Sequence, residues 1–505
     1  MSAKPPEPPA VTELKASLAR IDDLGKAAAV LSWDQQTYMP PGGVRARVNQ
    51  LTRLSELAHA YSTDPQLGAQ ISAAEEAAEP GTDAAALVRV ARREYDQATK
   101  LSPELVSELT QTTAEANQIW EIARAEAGFK SFAPHLTKIV ELSRQVAEAC
   151  GYADHPYDGL LDIYEPGMTT KALKTLFSEL EAEIVPLVKT VGEQARTGED
   201  ESLHGTFDEK TQLDYAWQTV TKWGLDAKRS RQDLTTHPFC TSFDIGDVRI
   251  TTRVREDYLP YSLFPTMHES GHAMYEQGIK PSYARGPLGR GASLGVHESQ
   301  SGLWENLVGR SKEFWKKNYV GLLETFPQLK NTSLADFYLA INAVKPSFIR
   351  VEADELTYNL HILMRFDLET ALLDGNLKVQ ELPEAWNAKV KEYLGITPPS
   401  DAQGVLQDVH WSAGLIGYFP TYTIGNVLSV QLWDAAQKEA EVAKGVAQAD
   451  YAPLLQWLRT HVHQHGAALL PAELTVQATG QPLNTKPYLS YLKQKYSQLY
   501  GLNNA

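Results

Sequence analysis

Cysteine is nearly absent from this sequence: only Cys150 and Cys240 occur among its 505 residues. Two cysteines cannot build the disulfide framework that small secreted proteins use. Long apolar runs are also lacking, because no stretch of about 18 consecutive apolar residues occurs, and the first residues carry proline and charge where a secretory signal would be apolar. These absences predict a cytoplasmic protein and exclude one that spans a membrane.

Basic side chains are outnumbered: 47 lysines and arginines stand against 63 acidic residues, for a formal charge of −16. Nucleic acids and anionic lipid surfaces need concentrated positive charge, so neither is an expected partner. The composition is otherwise that of an ordinary globular protein, with 43% hydrophobic and 22% charged residues. It excludes disorder as the main state of the chain.

Helical spacing dominates the sequence. Apolar residues recur three or four positions apart in the stretches 14–24, 51–57 and 83–127. We therefore predict a mainly α-helical fold in which one large domain, residues 11–505, surrounds a central groove. Residues 1–10 hold four prolines and are predicted to be a mobile tail. The helices at about 11–80 are candidates to cover the groove.

One segment departs from the helical pattern. Residues 241–254 alternate branched or aromatic with polar side chains around a Gly-Asp pair, as in a β-hairpin. Residues 265–277 follow, opening on a proline and stopping before a glycine, as a helix does. The glycine-rich residues 278–295 then indicate a long loop between two helices. The sequence thus predicts a small antiparallel β-sheet beside a short helix.

That short helix carries His268-Glu269-Ser270-Gly271-His272, an HExxH motif. Residues four apart in a helix lie about 40° from each other around its axis, so His268 and His272 can share one metal ion. Glu269 is rotated by about 100° from His268 and can therefore lie beside the ion without binding it. A helix with two surface histidines is the competing structural interpretation.

A catalytic zinc site needs a third protein ligand and one open position. The residues after His272 read AMYEQGIKPSY, which excludes the histidine continuation of the metzincins. A carboxylate from a following helix is the other common solution, and residues 297–301 (HESQS) open such a helix. His297, Glu298 and Glu305 all compete for the third position, and spacing alone does not decide among them.

Five ordered motifs now resemble those of one family, the carboxypeptidase Taq metallocarboxypeptidases. They are D-x-R-x-T at 247–251, HExxH at 268–272, HESQS at 297–301, I-R-x-x-A-D at 349–354 and G-x-x-Q-D-x-H-W at 404–411. The resemblance extends over essentially the whole chain from about residue 11. It implies that His268, His272 and Glu298 hold the metal and that Glu269 is the general base. One departure is Gly302, which stands where the family often has arginine after HESQS.

Residues shortly after the last motif are candidates for the rest of the chemistry. Tyr418 and Tyr422 supply two phenols that could stabilise an oxyanion, and His410 could bind substrate. Related helical zinc peptidases place a tyrosine and a histidine in this way. Tyrosine is common here, with 22 in the chain, so either phenol could instead belong to the core.

A carboxypeptidase must also recognise a terminal carboxylate, for which arginine is best suited. Arg350 stands at the predicted front of a helix that runs to about residue 373, with Asp354 four residues further on the same face. By spacing alone, a structural Arg350–Asp354 pair is an equal alternative. The family resemblance favours Arg350 as the carboxylate clamp, with Arg249 and His237 as weaker candidates.

The strand at 247–251 suggests a further role. In helical zinc peptidases an edge strand beside the active-site helix pairs with extended substrate backbone without reading side chains. If Thr251 and its neighbours formed such an edge, broad specificity would follow. We therefore expect the strand at 247–251 to lie at an edge of the sheet.

The sequence and the resemblance together predict a cytoplasmic metallocarboxypeptidase that releases single C-terminal residues from peptides with a free carboxylate. The resemblance alone implies a homodimer. Zn²⁺ is the default ion, although two imidazoles and a carboxylate also suit Co²⁺ and Mn²⁺. The alternatives are a dipeptidyl carboxypeptidase or oligopeptidase on the same scaffold, and a non-catalytic helical binding scaffold with a vestigial metal site.

Overall fold

The structure is a computed structural model that describes residues 7–195 and 200–502. These residues are mainly helical, which confirms the predicted fold class. None of the helices in the described residues is long and apolar enough to cross a membrane; the cytoplasmic location stays a prediction. The first six residues of the predicted tail lie outside the described part of the chain, and the first helix begins at Pro9.

The helices fall before and after a small β-sheet. Those before it are α1 Pro9–Thr37, α2 Val44–Ser62, α3 Pro65–Ala77, α4 Asp83–Lys100, α5 Pro103–Ala125, α6 Phe129–Cys150, α7 Pro156–Tyr164, α8 Thr170–Gln194 and α9 Glu209–Trp223. Those after it are α10 Pro260–Gly278, α11 Leu294–Gly302, α12 Lys312–Thr325, α13 Leu334–Ile341, α14 Glu355–Asp374, α15 Leu382–Leu394, α16 Pro420–Ala436, α17 Ala440–Ala447, α18 Ala452–His461, α19 Pro471–Thr479 and α20 Lys486–Tyr500.

The sheet has three strands, β1 Ser230–Leu234, β2 Cys240–Asp244 and β3 Asp247–Thr252, in the order β1-β3-β2. The predicted hairpin is present, because β2 and β3 pair antiparallel. Strand β1 was not predicted, and it pairs parallel with β3, so the sheet is mixed. Since β3 is the central strand, its backbone is already paired on both sides. The expectation that residues 247–251 form a substrate-binding edge is therefore wrong.

The HExxH helix is longer than its sequence pattern predicts. Helix α10 begins at Pro260 and contains Pro265 in its interior, where the sequence had suggested a helix start. Proline is best tolerated in the first turn, and Pro260 occupies that position instead. The helix ends at Gly278, and α11 begins at Leu294 after a cap by Ser293. Residues 279–293 thus form the predicted connection, here called the glycine-rich connection.

Two apolar clusters hold the helices together. The larger cluster includes residues of α10, α11, α14 and α16. The smaller one joins α1, α3 and α4 to the glycine-rich connection through Ile279, Tyr283 and Leu288. Arg285 of the connection also pairs with Asp23 of α1 at 2.6 Å. The N-terminal helices are therefore attached to the segment that links α10 to α11, and their coverage of a groove stays a prediction.

Candidate metal centre

Helices α10 and α11 bring together two histidines and a glutamate. The Nε2 atoms of His268 and His272 lie 3.6 Å and 3.9 Å from Oε2 of Glu298. One ligand atom from each of the three residues lies within 4.8 Å of the others. Metal–ligand bonds of about 2 Å require such separations around a shared centre. His268, His272 and Glu298 therefore form a candidate metal-binding group.

Glu298 reaches this position because α11 is packed tightly between α10 and α16. A Cβ atom on Gly271 of α10 would lie 2.6 Å from the carbonyl oxygen of Gln300. A Cβ atom on Gly425 of α16 would lie 2.3 Å from Cβ of Glu298 itself. Real Cβ atoms do not approach so closely, so both positions require glycine. The glycine inside HExxH thus allows α11 to place Glu298 beside the two histidines.

The other two candidates for the third ligand contact the Nδ1 atoms of the histidines, on the side of each ring away from Glu298. Oε2 of Glu305 lies 2.9 Å from Nδ1 of His268. His297 lies beside His272, with their Nδ1 atoms 2.7 Å apart. Histidine ligands usually have such partners on the nitrogen that does not face the metal. Both partners leave the Nε2 atoms facing Glu298, which is the arrangement that a metal ion needs.

A stretch of π-helix places Glu305. Helix α11 passes directly into a π-helical segment, Leu303–Gly309, which contains Glu305. A π-helix has more residues per turn than an α-helix, so Glu305 points in a different direction from the one that α-helical spacing predicts. Arg310 binds Oε1 of Glu305 at 2.9 Å. Burial raises the pKa of Glu305, but the hydrogen bond with His268 and the charge of Arg310 outweigh it and lower the pKa to about 2. Glu305 is therefore a carboxylate acceptor for His268.

Glu269 has the environment expected of a general base. Its side chain is buried on α10, with 6% of the residue exposed, next in sequence to the candidate ligand His268. Burial raises the pKa of Glu269 to about 7, and the charge of Glu298 acts in the same direction. A carboxyl group with a pKa near neutrality can both accept and return a proton.

Three candidates from the C-terminal half form an aromatic cluster. Nε2 of His410 lies 3.4 Å from Oη of Tyr422. The ring centroids of Tyr418 and Tyr422 are 5.6 Å apart, and those of His410 and Tyr418 are 5.4 Å apart. The charge of Glu298 contributes to raising the pKa of both phenols, after burial. Tyr422 lies one turn before Gly425 on α16, the residue that packs against Cβ of Glu298, so the cluster lies near the third residue of the candidate metal group.

Arg350 joins this cluster, but its acidic partner differs from the predicted one. Asp354 caps the N-terminus of α14 by accepting hydrogen bonds from the Leu356 and Thr357 amides. Arg350 lies before that helix, in a 3-10 turn, Arg350–Glu352. The proposed Arg350–Asp354 pair is therefore wrong, because capping a helix orients Asp354 towards the helix amides.

The partner of Arg350 is Asp408, which lies 58 positions further along the chain. Nη2 of Arg350 donates to Asp408 at 2.9 Å, and Arg365 donates to the same carboxylate at 2.6 Å. Burial raises the pKa of Asp408, but these two charges hold it far below its usual range. The guanidinium of Arg350 lies 5.0 Å from the ring centroid of Tyr422. Asp408 thus fixes Arg350 beside the aromatic cluster.

Sequence reasoning missed Asp408, Gln407 and Tyr358. Gln407 accepts a hydrogen bond from the Arg350 amide at 2.8 Å, and Tyr358 is bonded to Nη1 of Arg350 at 2.8 Å. The Gln-Asp pair was visible within G-x-x-Q-D-x-H-W, but no spacing rule connects it to a residue so far away. Tyr358, at the end of the first turn of α14, carried no recognisable signal.

The two weaker candidates lie by the sheet. Arg249 of β3 pairs with Asp247 at 2.8 Å, and its guanidinium stacks 4.3 Å from the ring centroid of Trp33 of α1. It therefore fastens α1 to the sheet. His237 is exposed in the connection between β1 and β2. Among the described residues, no hydrogen bond, ion pair or ring contact joins either of them to Arg350 or to the aromatic cluster.

Comparison with known proteins agrees with this geometry. The profile of the carboxypeptidase Taq (M32) metallopeptidases matches residues 13–496. Thermostable carboxypeptidase 1 of Thermus thermophilus is 40% identical over 491 residues, which are 95% of this chain and 96% of that protein. Carboxypeptidase 1 of Bacillus subtilis is 39% identical over 488 residues, covering 96% and 97%.

Solved structures show the same fold. The M32 carboxypeptidase of Deinococcus radiodurans R1 superposes with a TM-score of 0.94 at 41% identity, covering 97% of this chain and 99% of that one. Metallocarboxypeptidase 1 of Trypanosoma cruzi gives a TM-score of 0.92 at 34% identity, covering 96% and 99%. This chain therefore belongs to the carboxypeptidase Taq family of metallopeptidases and is a peptide hydrolase that releases C-terminal residues.

Proposed function

We propose that the enzyme releases one C-terminal amino acid at a time, at a metal ion held by His268, His272 and Glu298. The observation that carries this proposal is the position of Arg350, a buried cation 5.0 Å from the ring centroid of Tyr422, which lies one turn before the residue of α16 that packs against Glu298. A cation close to the reacting centre fits a substrate whose scissile bond is the last one before a free carboxylate. When bound, the ion would lower the pKa of a water molecule and polarise the scissile carbonyl.

Glu269 is proposed to move the proton. Its carboxylate takes a proton from the attacking water and delivers it to the leaving amine. A pKa of about 7 suits both halves of this transfer near neutral pH. Because Glu269 is not one of the three ligands, it can change protonation state without releasing the ion.

Recognition of the terminus is assigned to Arg350. A guanidinium has five N–H donors, and the contacts with Asp408 and Tyr358 use three of them among the described residues. The remaining donors can bind a carboxylate. Every peptide ends in this group, so recognition through it supports broad side-chain specificity without any pairing to β3. His410 is proposed to contact the same end of the substrate, because its Nε2 lies 3.4 Å from Oη of Tyr422, the ring beside Arg350. Burial lowers the pKa of His410 to about 4, so it would act as a neutral imidazole.

Tyr422 is the proposed donor to the oxyanion, with Tyr418 as the alternative. We expect Tyr422→Phe to lower kcat on the order of 10²-fold with little change in KM, as loss of an oxyanion donor does. Tyr418→Phe is the matched control, since it removes one hydroxyl from the same cluster. Steady-state kinetics on one peptide decide the roles. Unchanged kcat in both variants would remove the tyrosines from the mechanism.

Digestion of an unblocked peptide, followed by mass spectrometry, tests the proposed reaction. We expect a ladder of products that differ by single C-terminal residues, and no products after chelation of the metal. Restoring Zn²⁺, Co²⁺ or Mn²⁺ to the chelated enzyme identifies the ions that support turnover. The C-terminally amidated peptide is the control and should resist cleavage.

Other product patterns would point to the alternatives. Steps of two residues would identify a dipeptidyl carboxypeptidase, and equally fast internal cleavage of the amidated peptide would identify an oligopeptidase. A metal-loaded protein that cleaves no peptide with a free carboxylate would favour the binding scaffold.

We also propose that the enzyme is a homodimer. Helix α2 has no buried residue and exposes four large apolar side chains, Val44, Val48, Leu57 and Tyr61. Exposed apolar surface of this kind often marks a protein interface. Light scattering at micromolar concentration should give twice the chain mass, and a mass equal to one chain would refute the dimer.

A further inference from the structure

The two ligand histidines are held by different kinds of partner. Nδ1 of His268 contacts a carboxylate directly, that of Glu305, at 2.9 Å. Nδ1 of His272 instead contacts another imidazole, with Nδ1 of His297 at 2.7 Å. The second ring nitrogen of His297 continues the chain, because its Nε2 lies 2.8 Å from Oε1 of Glu276. A relay of three side chains, Glu276, His297 and His272, therefore leads to the candidate metal group.

The chemistry of these groups decides where each hydrogen lies. A carboxylate oxygen accepts hydrogen bonds, so we assign the hydrogen of this contact to Nε2 of His297, which donates to Oε1 of Glu276. In a neutral imidazole the other nitrogen is then an acceptor, and Nδ1 of His297 receives the hydrogen bond from Nδ1–H of His272. His272 is left with an unprotonated Nε2, the atom that lies 3.9 Å from Glu298.

We propose that Glu276 and His297 are positioning residues, which hold His272 in the tautomer that binds metal. A ligand histidine needs a free lone pair on the nitrogen that faces the ion, and the partner of its other nitrogen sets this. The inference rests on the proposed metal site, but it concerns affinity for the ion and is independent of the substrate.

The surroundings of His297 keep the relay in one orientation. The ring of Tyr275 lies 5.0 Å from that of His297, and only 7% of Glu276 is exposed. Gly291, in the glycine-rich connection, packs so closely that a Cβ atom there would lie 2.8 Å from Cδ2 of His297. The connection thus covers the imidazole and prevents it from turning away from Glu276 and His272.

An imidazole between ligand and carboxylate also affects the charge at the site. The charges of Glu269, Glu298 and Glu305 already act on His268, and Oε2 of Glu298 also lies 3.9 Å from Nε2 of His272. A further carboxylate in direct contact with His272 would add repulsion among these groups in a buried setting. The relay places the charge of Glu276 one imidazole ring further away and still provides a final acceptor for the hydrogen-bond chain.

Zinc affinity, measured by competition with a chelator, tests the inference through a matched pair of variants. His297→Phe keeps a ring but removes both nitrogens, and we expect zinc to bind about 10- to 100-fold more weakly, as for other partners of ligand histidines. His297→Gln can still accept from Nδ1–H of His272, so its affinity should lie within about threefold of the wild type. Tyr275→Phe keeps the ring that lies against His297 and removes only the hydroxyl that accepts from the Ala292 amide, so it is the control for a change in the buried surroundings and should bind like the wild type.

A second measurement reads the tautomer in the absence of metal. In the ¹⁵N spectrum of the histidine-labelled apoprotein, Nε2 of His272 should appear unprotonated in the wild type and in His297→Gln, and partly protonated in His297→Phe. Glu276→Ala keeps both rings and should produce the same loss of zinc affinity from the far end of the relay. It serves as the test if His297→Phe does not fold.

Two results would overturn the relay. One is His297→Phe or Glu276→Ala with the zinc affinity of the wild type. The other is His297→Gln binding zinc as weakly as the folded phenylalanine variant, because volume and not hydrogen bonding would then matter. Failure of the proposed function looks different: the wild type would bind zinc with the predicted order among the variants and yet leave no ladder in the peptide digest.

Discussion

Glu269→Gln should bind the same amount of metal as the wild type and turn over about 10²- to 10⁴-fold more slowly. Glutamine has the shape of glutamate but cannot take a proton from water. Since Glu269 lies outside the ligand group of His268, His272 and Glu298, its replacement leaves the candidate ligands in place. Metal content by mass spectrometry and kcat on one peptide are the two measurements, and both must be made on the same preparation.

Glu269→Asp is the matched control for this prediction. It keeps a carboxylate but draws it back by one methylene, so activity should lie between those of the wild type and the glutamine variant. A glutamine variant with normal turnover would exclude Glu269 as the base. A variant that loses its metal would instead show that Glu269 takes part in binding the ion.

Sequence patterns predict the parts of the site whose geometry is local. The four-residue spacing of His268 and His272 on a helix places both rings on one side, and the structure agrees. The hairpin and the glycine-rich connection were equally local signals and are present. In each case the chain between the interacting groups is short, so few conformations compete.

Local sequence patterns could not identify which residue lies in the position of a third ligand. The angles between residues on an ideal helix do not distinguish among the candidates His297, Glu298 and Glu305, because they do not show how α11 packs against its neighbours. Close packing at Gly271 and Gly425 places Glu298 beside both histidines, and the π-helical segment after α11 carries Glu305 to the other nitrogen of His268. These are tertiary features, and a single sequence does not show them. The family resemblance favoured Glu298 where spacing could not.

The partner of Arg350 illustrates the same limit. Helical spacing suggested Asp354, whereas the carboxylate that binds the guanidinium is Asp408. The motifs I-R-x-x-A-D and G-x-x-Q-D-x-H-W are each recognisable, but their contact is a long-range one that also recruits Arg365. Asp408 of the second motif thus holds Arg350 of the first motif in place.

Arg350→Ala is expected to lower kcat/KM for peptides with a free C-terminus by roughly 30-fold or more. Truncating one member of a buried, hydrogen-bonded charge pair typically costs about 2–5 kcal/mol, and every 1.4 kcal/mol corresponds to about tenfold. Arg350 is buried, with 5% exposed, and it is held by Asp408 in the orientation needed. Amidated peptides should be cleaved as poorly by the variant as by the wild type. The ratio of kcat/KM for the free peptide to kcat/KM for the amidated peptide should therefore be much smaller in the variant.

The design separates recognition from folding. Asp408 keeps Arg365 at 2.6 Å when Arg350 is removed, so the variant retains a partner for the buried carboxylate, and its melting temperature shows whether the fold survives. Arg249→Ala is the control, because Arg249 also pairs with an aspartate and stacks on an aromatic ring, but by the sheet. It should discriminate against amidated peptides as the wild type does. If Arg249→Ala loses that discrimination and Arg350→Ala keeps it, the carboxylate is bound beside the sheet and the role assigned to Arg350 is wrong.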